Sequence, residues 1–568
     1  MGNRIPFFLV FFIFIFIPFY AQGKEPAKKE PSTNLVVLKI SGNIPEFITV
    51  EGLDEKQTSL HKLLESVYKA KNDPEVQGLI LEVGEISMGR AKISALSQAL
   101  AQFRTSGKPI YSYFESVSTG QYLIACQSSR LSIYPTGELF IPGVAMQMMF
   151  IKGLLGKLGV EADFITQGKY KSAAEMMTRE SSSAPAKEAH MAMINDLYDG
   201  LVSSIAQARN LDEKKVKHLL DQGIINSKEA AECKLIDFAE YQDEFEAAMT
   251  AAHKDPIKKI TNYNQKQAPQ LDPSSIFSMF SFFSQVFNPN KQSESKNSKI
   301  AILYASGGIS SGKAPAPSIF GGASEGIYSE DMTQAIRKLR DDDTVKVVVL
   351  RIDSPGGSAL ASDVIYRELE LLKAKKPIIA SMSDVAASGG YYIAAPCDLI
   401  LADALTITGS IGVLGGKMVL GKTFEKLGIQ TETLGRGKYV ELFSSMRKWN
   451  DDERQLIDDY MAKTYDQFVA VVAKGRKMSE YDIHKVAQGR VWTGEDAKQI
   501  GLVDILGNLP EAIEEARKIA KLEGQKDVEV VPYPKPRSIF DLFREGFGLA
   551  QVSQQIVWET IPQELHPV

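Results

Sequence analysis

Residues Val385–Ala394 read VAASGGYYIA, and residues Ser116–Ala125 read SVSTGQYLIA. Gly389 of the first aligns with Gly120 of the second, 389 − 120 = 269 positions apart. The same spacing separates Gly437-Lys438-Tyr439 from Gly168-Lys169-Tyr170, since 437 − 168 = 269. The segments leading to them, KLGVEADFITQGKY and KLGIQTETLGRGKY, hold one register. About fifty residues therefore run without a net insertion, which marks an internal duplication. Upstream, Lys108-Pro109-Ile110 matches Lys376-Pro377-Ile378. Downstream, INSKEAAECKLID, ending at Asp237, matches WTGEDAKQIGLVD, ending at Asp504. The small drift between these matches corresponds to loop changes between two copies of one fold.

Each copy alternates β-branched runs with helical patterns. In the second, Lys299–Tyr304, Val345–Ile352 and Pro377–Met382 read as strands. Glu330–Arg340 and Ala359–Lys375 between them read as helices. This alternation predicts an α/β fold with parallel sheets and helical crossovers, present twice. The expected organisation is a hydrophobic signal or anchor segment over 1–23, a polar tether over 24–34 and a first repeat over 35–252. A linker over 253–298, a second repeat over 299–521 and a C-terminal tail over 522–568 complete it.

The apolar run Ile5–Tyr20 follows Arg4, and Ala21-Gln22-Gly23 suits a small-residue cleavage site. In length the run lies between a signal-peptide core and a full membrane span. It reads as an export signal or an uncleaved anchor. The linker holds a second apolar stretch, Ile276–Phe287, too short to span a bilayer as a helix. That stretch and the tail from Ser538 read as packing or membrane-surface segments. The net charge of −5 argues against a nucleic-acid-binding protein. Cys126, Cys233 and Cys397 show no CxxC spacing, so no zinc or redox motif is present and no cofactor or metal is expected.

Two Gly-rich turns in the second copy follow strands and precede helices: Asp353-Ser-Pro-Gly-Gly-Ser358 and Asp384-Val-Ala-Ala-Ser-Gly-Gly390. Function in α/β sheets collects at such strand ends. Ser388 there exposes a hydroxyl, and the N–H groups of Gly389 and of the Gly356-Gly357 pair can face a developing oxyanion. Taken alone, the turn would equally suit a tight connection or a phosphate cradle.

A serine nucleophile needs a base. The six histidines are scattered, and none lies between Ser298 and Glu480. The repeat points instead to a lysine. Ser388 has Thr119 as its counterpart, and Lys171 has Val440. One copy keeps the serine and the other the lysine, as a site built across their interface would permit. Ser410, in Thr408-Gly-Ser-Ile-Gly-Val413, has Ile141 as its counterpart and could orient the lysine amine. Arg351 and Asp353 beside the glycine turn read as ties that hold it.

These residues resemble the signal peptide peptidase A (protease IV) family in its long, two-copy form. The resemblance rests on Ser354-Pro-Gly-Gly357, Ala387-Ser-Gly-Gly-Tyr-Tyr392, Thr408-Gly-Ser-Ile-Gly412, Tyr170-Lys-Ser-Ala173 with Glu175, Val491–Lys498 and Gly501-Leu-Val-Asp504. It covers about Asn34 to Lys521. It implies two tandem ClpP/crotonase-like domains, with Ser388 as nucleophile, Lys171 as general base and Ser410 as the orienting residue. It implies an oxyanion hole from Gly389 and a glycine of the 354–357 turn, Gly357. It also implies anchoring in a bacterial cell membrane by the N-terminal segment, with the catalytic domains on the exported side. Cleaved signal peptides would be the substrates, and the assembly a homo-oligomer, a tetramer. The first copy departs from the active pattern at Thr119, at Ile141 and around Gly84–Gly89, where the Pro-Gly-Gly turn is lost. The competing readings are a coenzyme A thioester enzyme of related fold and a catalytically dead membrane scaffold.

Overall fold

A computed structural model describes residues 32–51, 58–264, 296–315, 326–525, 527–535 and 537–538. The N-terminal apolar run, the linker stretch Ile276–Phe287 and the tail beyond Ser538 lie outside the described residues.

The described residues form two large, mainly parallel sheets and several small ones. The first has six strands in the order Phe238–Ala239, Arg130–Ile133, Ile110–Phe114, Gly78–Ser87, Thr33–Asn43 and Ile257–Ile260. The second repeats this plan. Its central strands Lys299–Ser306, Val345–Ser354 and Ile378–Ala387 pair in parallel, with Leu399–Ala402 beside the last. Among the described strands of this sheet, Val491–Thr493 runs antiparallel, against Ile407–Gly409. Val345–Ser354 is almost wholly buried. A near-continuous apolar run, as in Val347–Leu350, is what a strand covered by helices on both faces requires. The helix after it, Ala359–Lys373, starts where Ser358 Oγ accepts from the Ala361 N–H, 3.2 Å away.

The duplication holds at the level of single hydrogen bonds. The Tyr122 hydroxyl donates to the Leu235 carbonyl at 2.7 Å, and Tyr391 donates to Leu502 at 2.7 Å. Arg209 pairs with Asp237, as Arg476 does with Asp504. Lys108 Nζ donates to the carbonyls that end one helix, and Lys376 Nζ to those that end its counterpart. These shared residues serve the fold.

Two boundaries move outward from the composition-based ones. Ile257–Ile260, placed in the linker from the sequence, pairs with Thr33–Val36 of the first sheet. Glu529–Tyr533, placed in the tail, pairs with Lys299–Leu303 of the second. Both are edge strands, half exposed, so their composition resembles that of their polar surroundings.

The repeats join along a polar seam, by a shared ribbon and by a short parallel pairing of Val50–Glu51 with Arg537–Ser538. Val413–Val419 of the second copy pairs antiparallel with Glu161–Gln167 of the first, with Val413 opposite Gln167. Among the described residues no helix is long and apolar enough to cross a membrane.

Candidate active site

The strand Ile378–Ala387 passes into the helix Gly389–Ala394 through one residue, Ser388. Its backbone sits at φ 54°, ψ −119°, a region that costs an L-residue about 1–3 kcal/mol. Surrounding bonds hold it there. The Ser388 N–H donates to the Gly409 carbonyl at 2.9 Å, and the Tyr392 N–H donates to the Ser388 carbonyl at 2.9 Å. A sharp, strained strand-to-helix turn of this kind exposes a nucleophile at the end of a sheet. The first copy is relaxed at the same place. Thr119, the counterpart of Ser388, is not among the residues of positive φ; it opens the helix Thr119–Ala125, and its hydroxyl donates to the Phe140 carbonyl at 3.3 Å.

Lys171 reaches Ser388 from the other repeat. It lies four residues beyond the end of the ribbon strand Glu161–Gln167. Its Nζ is 3.2 Å from Ser388 Oγ, 3.0 Å from Ser410 Oγ and 2.9 Å from the Ser410 carbonyl. Burial pulls the Lys171 ammonium down to about 8, from an ordinary 10.5. Among the described residues no carboxylate pairs with it. A neutral amine has two hydrogens and one lone pair. The two Ser410 oxygens accept the hydrogens, which leaves the lone pair to the Ser388 hydroxyl.

Which N–H groups of the two Gly-rich turns are free follows from which are already used. The Gly356 N–H donates to Ser354 Oγ at 3.1 Å. On either side of Gly357, the Ile309 N–H donates to the Gly356 carbonyl and the Ser358 N–H to the Ile309 carbonyl, each at 2.9 Å. The Gly357 N–H has no partner among the described residues, and neither has that of Gly389 in its helix's first turn. A Cβ at Gly356 would lie 2.5 Å from the Gly389 nitrogen and 2.8 Å from Ser388 Cβ. Only a bare glycine lets this turn close on the elbow. Of the pair, Gly357, the one the resemblance implies, has the free N–H.

The profile of Peptidase family S49 matches the chain twice, at residues 102–255 and 370–523. The chain belongs to peptidase family S49. It is 33% identical to the chloroplastic serine protease SPPA of Arabidopsis thaliana over 491 residues, 86% of this chain and 70% of that one. It is 30% identical to Protease 4 of Salmonella typhi over 478 residues, 82% of this chain and 73% of that one. A putative signal peptide peptidase SppA from Enterococcus faecium is 31% identical over 279 residues, 49% of this chain and 79% of that one. The protein is thus a serine peptidase of the protease IV type, built from two tandem ClpP/crotonase-like S49 domains.

Behind this S49 site lies the seam of buried charge that joins the repeats. Glu46 and Arg351 pair at 2.9 and 3.1 Å with their side chains sealed from water. Arg351 also donates to Ser381 Oγ and the Met382 carbonyl, and Ser383 donates to Glu46. Lys92 pairs with Asp353 at 2.7 Å and with Asp384 at 3.5 Å. Asp384 in turn accepts the Gly89 and Lys92 N–H groups at the start of the helix Arg90–Arg104. The two turns that flank Ser388 are therefore anchored on the first repeat, and Arg351 and Asp353 tie the repeats together rather than only the turn.

The sequence reading had no signal for one element, the turn Gln488-Gly489-Arg490. It sits between Lys171 and Ser410 and bonds to the loops that carry both. Three histidines have structural partners instead: His61, His253 and His484 each meet a tyrosine hydroxyl.

Proposed function

We propose that this peptidase cleaves peptide bonds with a Ser388–Lys171 dyad split between its repeats. Neutral Lys171 takes the Ser388 hydroxyl proton as Oγ attacks the peptide carbonyl. The Gly389 and Gly357 N–H groups hold the oxyanion. Lys171 returns the proton to the leaving amine, an acyl-enzyme remains, and the lysine then activates a water that hydrolyses it. Ser410 orients the amine throughout. The observation that carries this reading is the 3.2 Å approach of Lys171 Nζ to Ser388 Oγ at an amine that burial keeps partly neutral. The test is peptidase activity of purified, detergent-solubilised protein with Ser388→Ala, Lys171→Ala and Thr119→Ala. The first two lose activity and Thr119→Ala keeps it. An active Lys171→Ala overturns the reading.

We further propose that the enzyme acts at a bacterial cell membrane, held by its N-terminal segment with the repeats on the exported side. There it degrades cleaved signal peptides and other membrane-released apolar peptides. The support is the run Ile5–Tyr20 and the signal-peptide-peptidase relative.

The working form in this proposal is a homo-oligomer, a tetramer by family resemblance, and unmatched surfaces support it. A shift of 269 carries the ribbon pair 413–419 and 161–167 onto 144–150 and 430–436. Neither of these segments pairs among the described residues, and Met149 and Leu434 on them are 71% and 88% exposed. Gly159 packs against the backbone of Lys422 and Thr423, whereas its counterpart Gly428 meets nothing within 4 Å. Gly168 packs on Gln488, whereas Gly437 meets nothing. A second copy offering its 144–150 segment to 430–436 would repeat between chains what one chain does within itself.

A further inference from the structure

The ribbon alone does not set where Lys171 stands. Its loop leaves the ribbon at Gln167 and then meets the turn Gln488-Gly489-Arg490 of the second repeat. The Tyr170 N–H donates to the Gln488 carbonyl at 2.9 Å. Gly489 has φ +76°, and a Cβ there would lie 2.6 Å from Lys171 Cβ and 2.7 Å from its Cα and N. The Lys171 main chain thus rests on a bare Cα. The turn itself is fixed to the second repeat. The Gly489 N–H donates to the Ile411 carbonyl and the Ser410 N–H to the Arg490 carbonyl, each at 2.7 Å.

From the first repeat's side the turn is clasped. Arg490 Nη1 donates to Glu188 Oε1 at 2.6 Å. Its guanidinium lies over Tyr170 at 5.1 Å and over Trp492 at 4.2 Å.

We infer that the turn Gln488-Gly489-Arg490, with Gly489 at its centre, is a positioning element that sets Lys171 against Ser388. The inference rests on the Ser–Lys reading above. The turn is bonded to the loop that carries Ser410, in the repeat that holds Ser388, so anything added at 489 displaces the lysine and not the nucleophile. A Cβ so close to backbone atoms cannot rotate away. Displaced by about 1 Å, a catalytic group loses on the order of 100-fold in rate. Moved toward water, the amine regains solvation and its titration rises toward that of an ordinary lysine.

The test compares Gly489→Ala with Gly223→Ala. Gly223 has φ +74° in the corresponding turn of the first repeat, with nothing within 4 Å of a Cβ. Both variants carry the same backbone strain, and only one touches Lys171. Activity on an apolar fluorogenic peptide is measured from pH 6 to 10, with thermal unfolding alongside. Gly489→Ala is expected to lose about 100-fold in kcat with KM little changed, and its pH midpoint to rise. Gly223→Ala is expected to keep both. Equal losses in the two variants, or a wild-type midpoint in Gly489→Ala, overturn the inference. If Gly489→Ala does not fold, Arg490→Lys decides instead, because lysine keeps the charge and loses the planar stack. A wild-type kcat and midpoint in that variant likewise overturn it. Lys171→Ala is run in parallel. If it is inactive while Gly489→Ala behaves as wild type, only the positioning fails. If it is active, the dyad fails as well.

Discussion

The pH dependence of kcat/KM offers the sharpest test of a lysine base, because the burial of Lys171 sets both its midpoint and its range. The profile of kcat/KM reports the free enzyme's titrating groups. With the lysine at about 8, the neutral fraction is about 1% at pH 6, about 9% at pH 7 and about 90% at pH 9. Activity should climb about tenfold per unit at first, bend near pH 8 and level by pH 10, a rise of about 90-fold between pH 6 and 9. The sign follows from the cause. Burial penalises the ammonium, so the active neutral form gains population as pH rises. A histidine base at about 6.5 would give only about a fourfold rise over that interval. A solvated lysine would give about 1,000-fold with no bend before pH 10. The assay is initial rates on an apolar fluorogenic peptide in one buffer series of constant ionic strength. A profile that is flat, or that bends below pH 7, refutes the buried-lysine argument. One that rises without a bend refutes the burial but keeps a lysine.

Two further outcomes follow from particular residues. Leu434→Asp puts a charge on the exposed segment 430–436, and the oligomer should dissociate in sedimentation or light scattering while the monomer stays folded. An unchanged assembly would rule that surface out as the contact. Ser388→Gly should unfold at a temperature about 1 °C higher than Ser388→Ala. Glycine relieves about 1 kcal/mol net of strain at φ 54°, after its larger chain entropy is counted. An alanine variant at least as stable would mean the elbow is not strained.

Much of this molecule can be read along the chain. The shift of 269 between SVSTGQYLIA and VAASGGYYIA announces two copies, and alternating strand and helix patterns give each an α/β form. Val345–Ile352 is legible as a buried strand, observed as Val345–Ser354, because burial on both faces demands a run of apolar residues. The complementary losses at Thr119 and Val440 even point to a site shared between copies. Such signals are local in sequence or repeat at one spacing.

What only the tertiary structure decided is long-range. Lys171 and Ser388 are 217 positions apart, and their approach depends on the ribbon between repeats and on the turn at Gly489. Gly489 is one glycine among 43 until its Cα is seen under Lys171. That the Gly356 N–H is taken by Ser354 Oγ, so that Gly357 holds the free donor, is seen in the structure alone. The edge strands at Ile257 and Glu529 need a neighbour to exist at all. The Lys171 titration depends on burial, which comes from packing two distant segments together and is a property of neither alone.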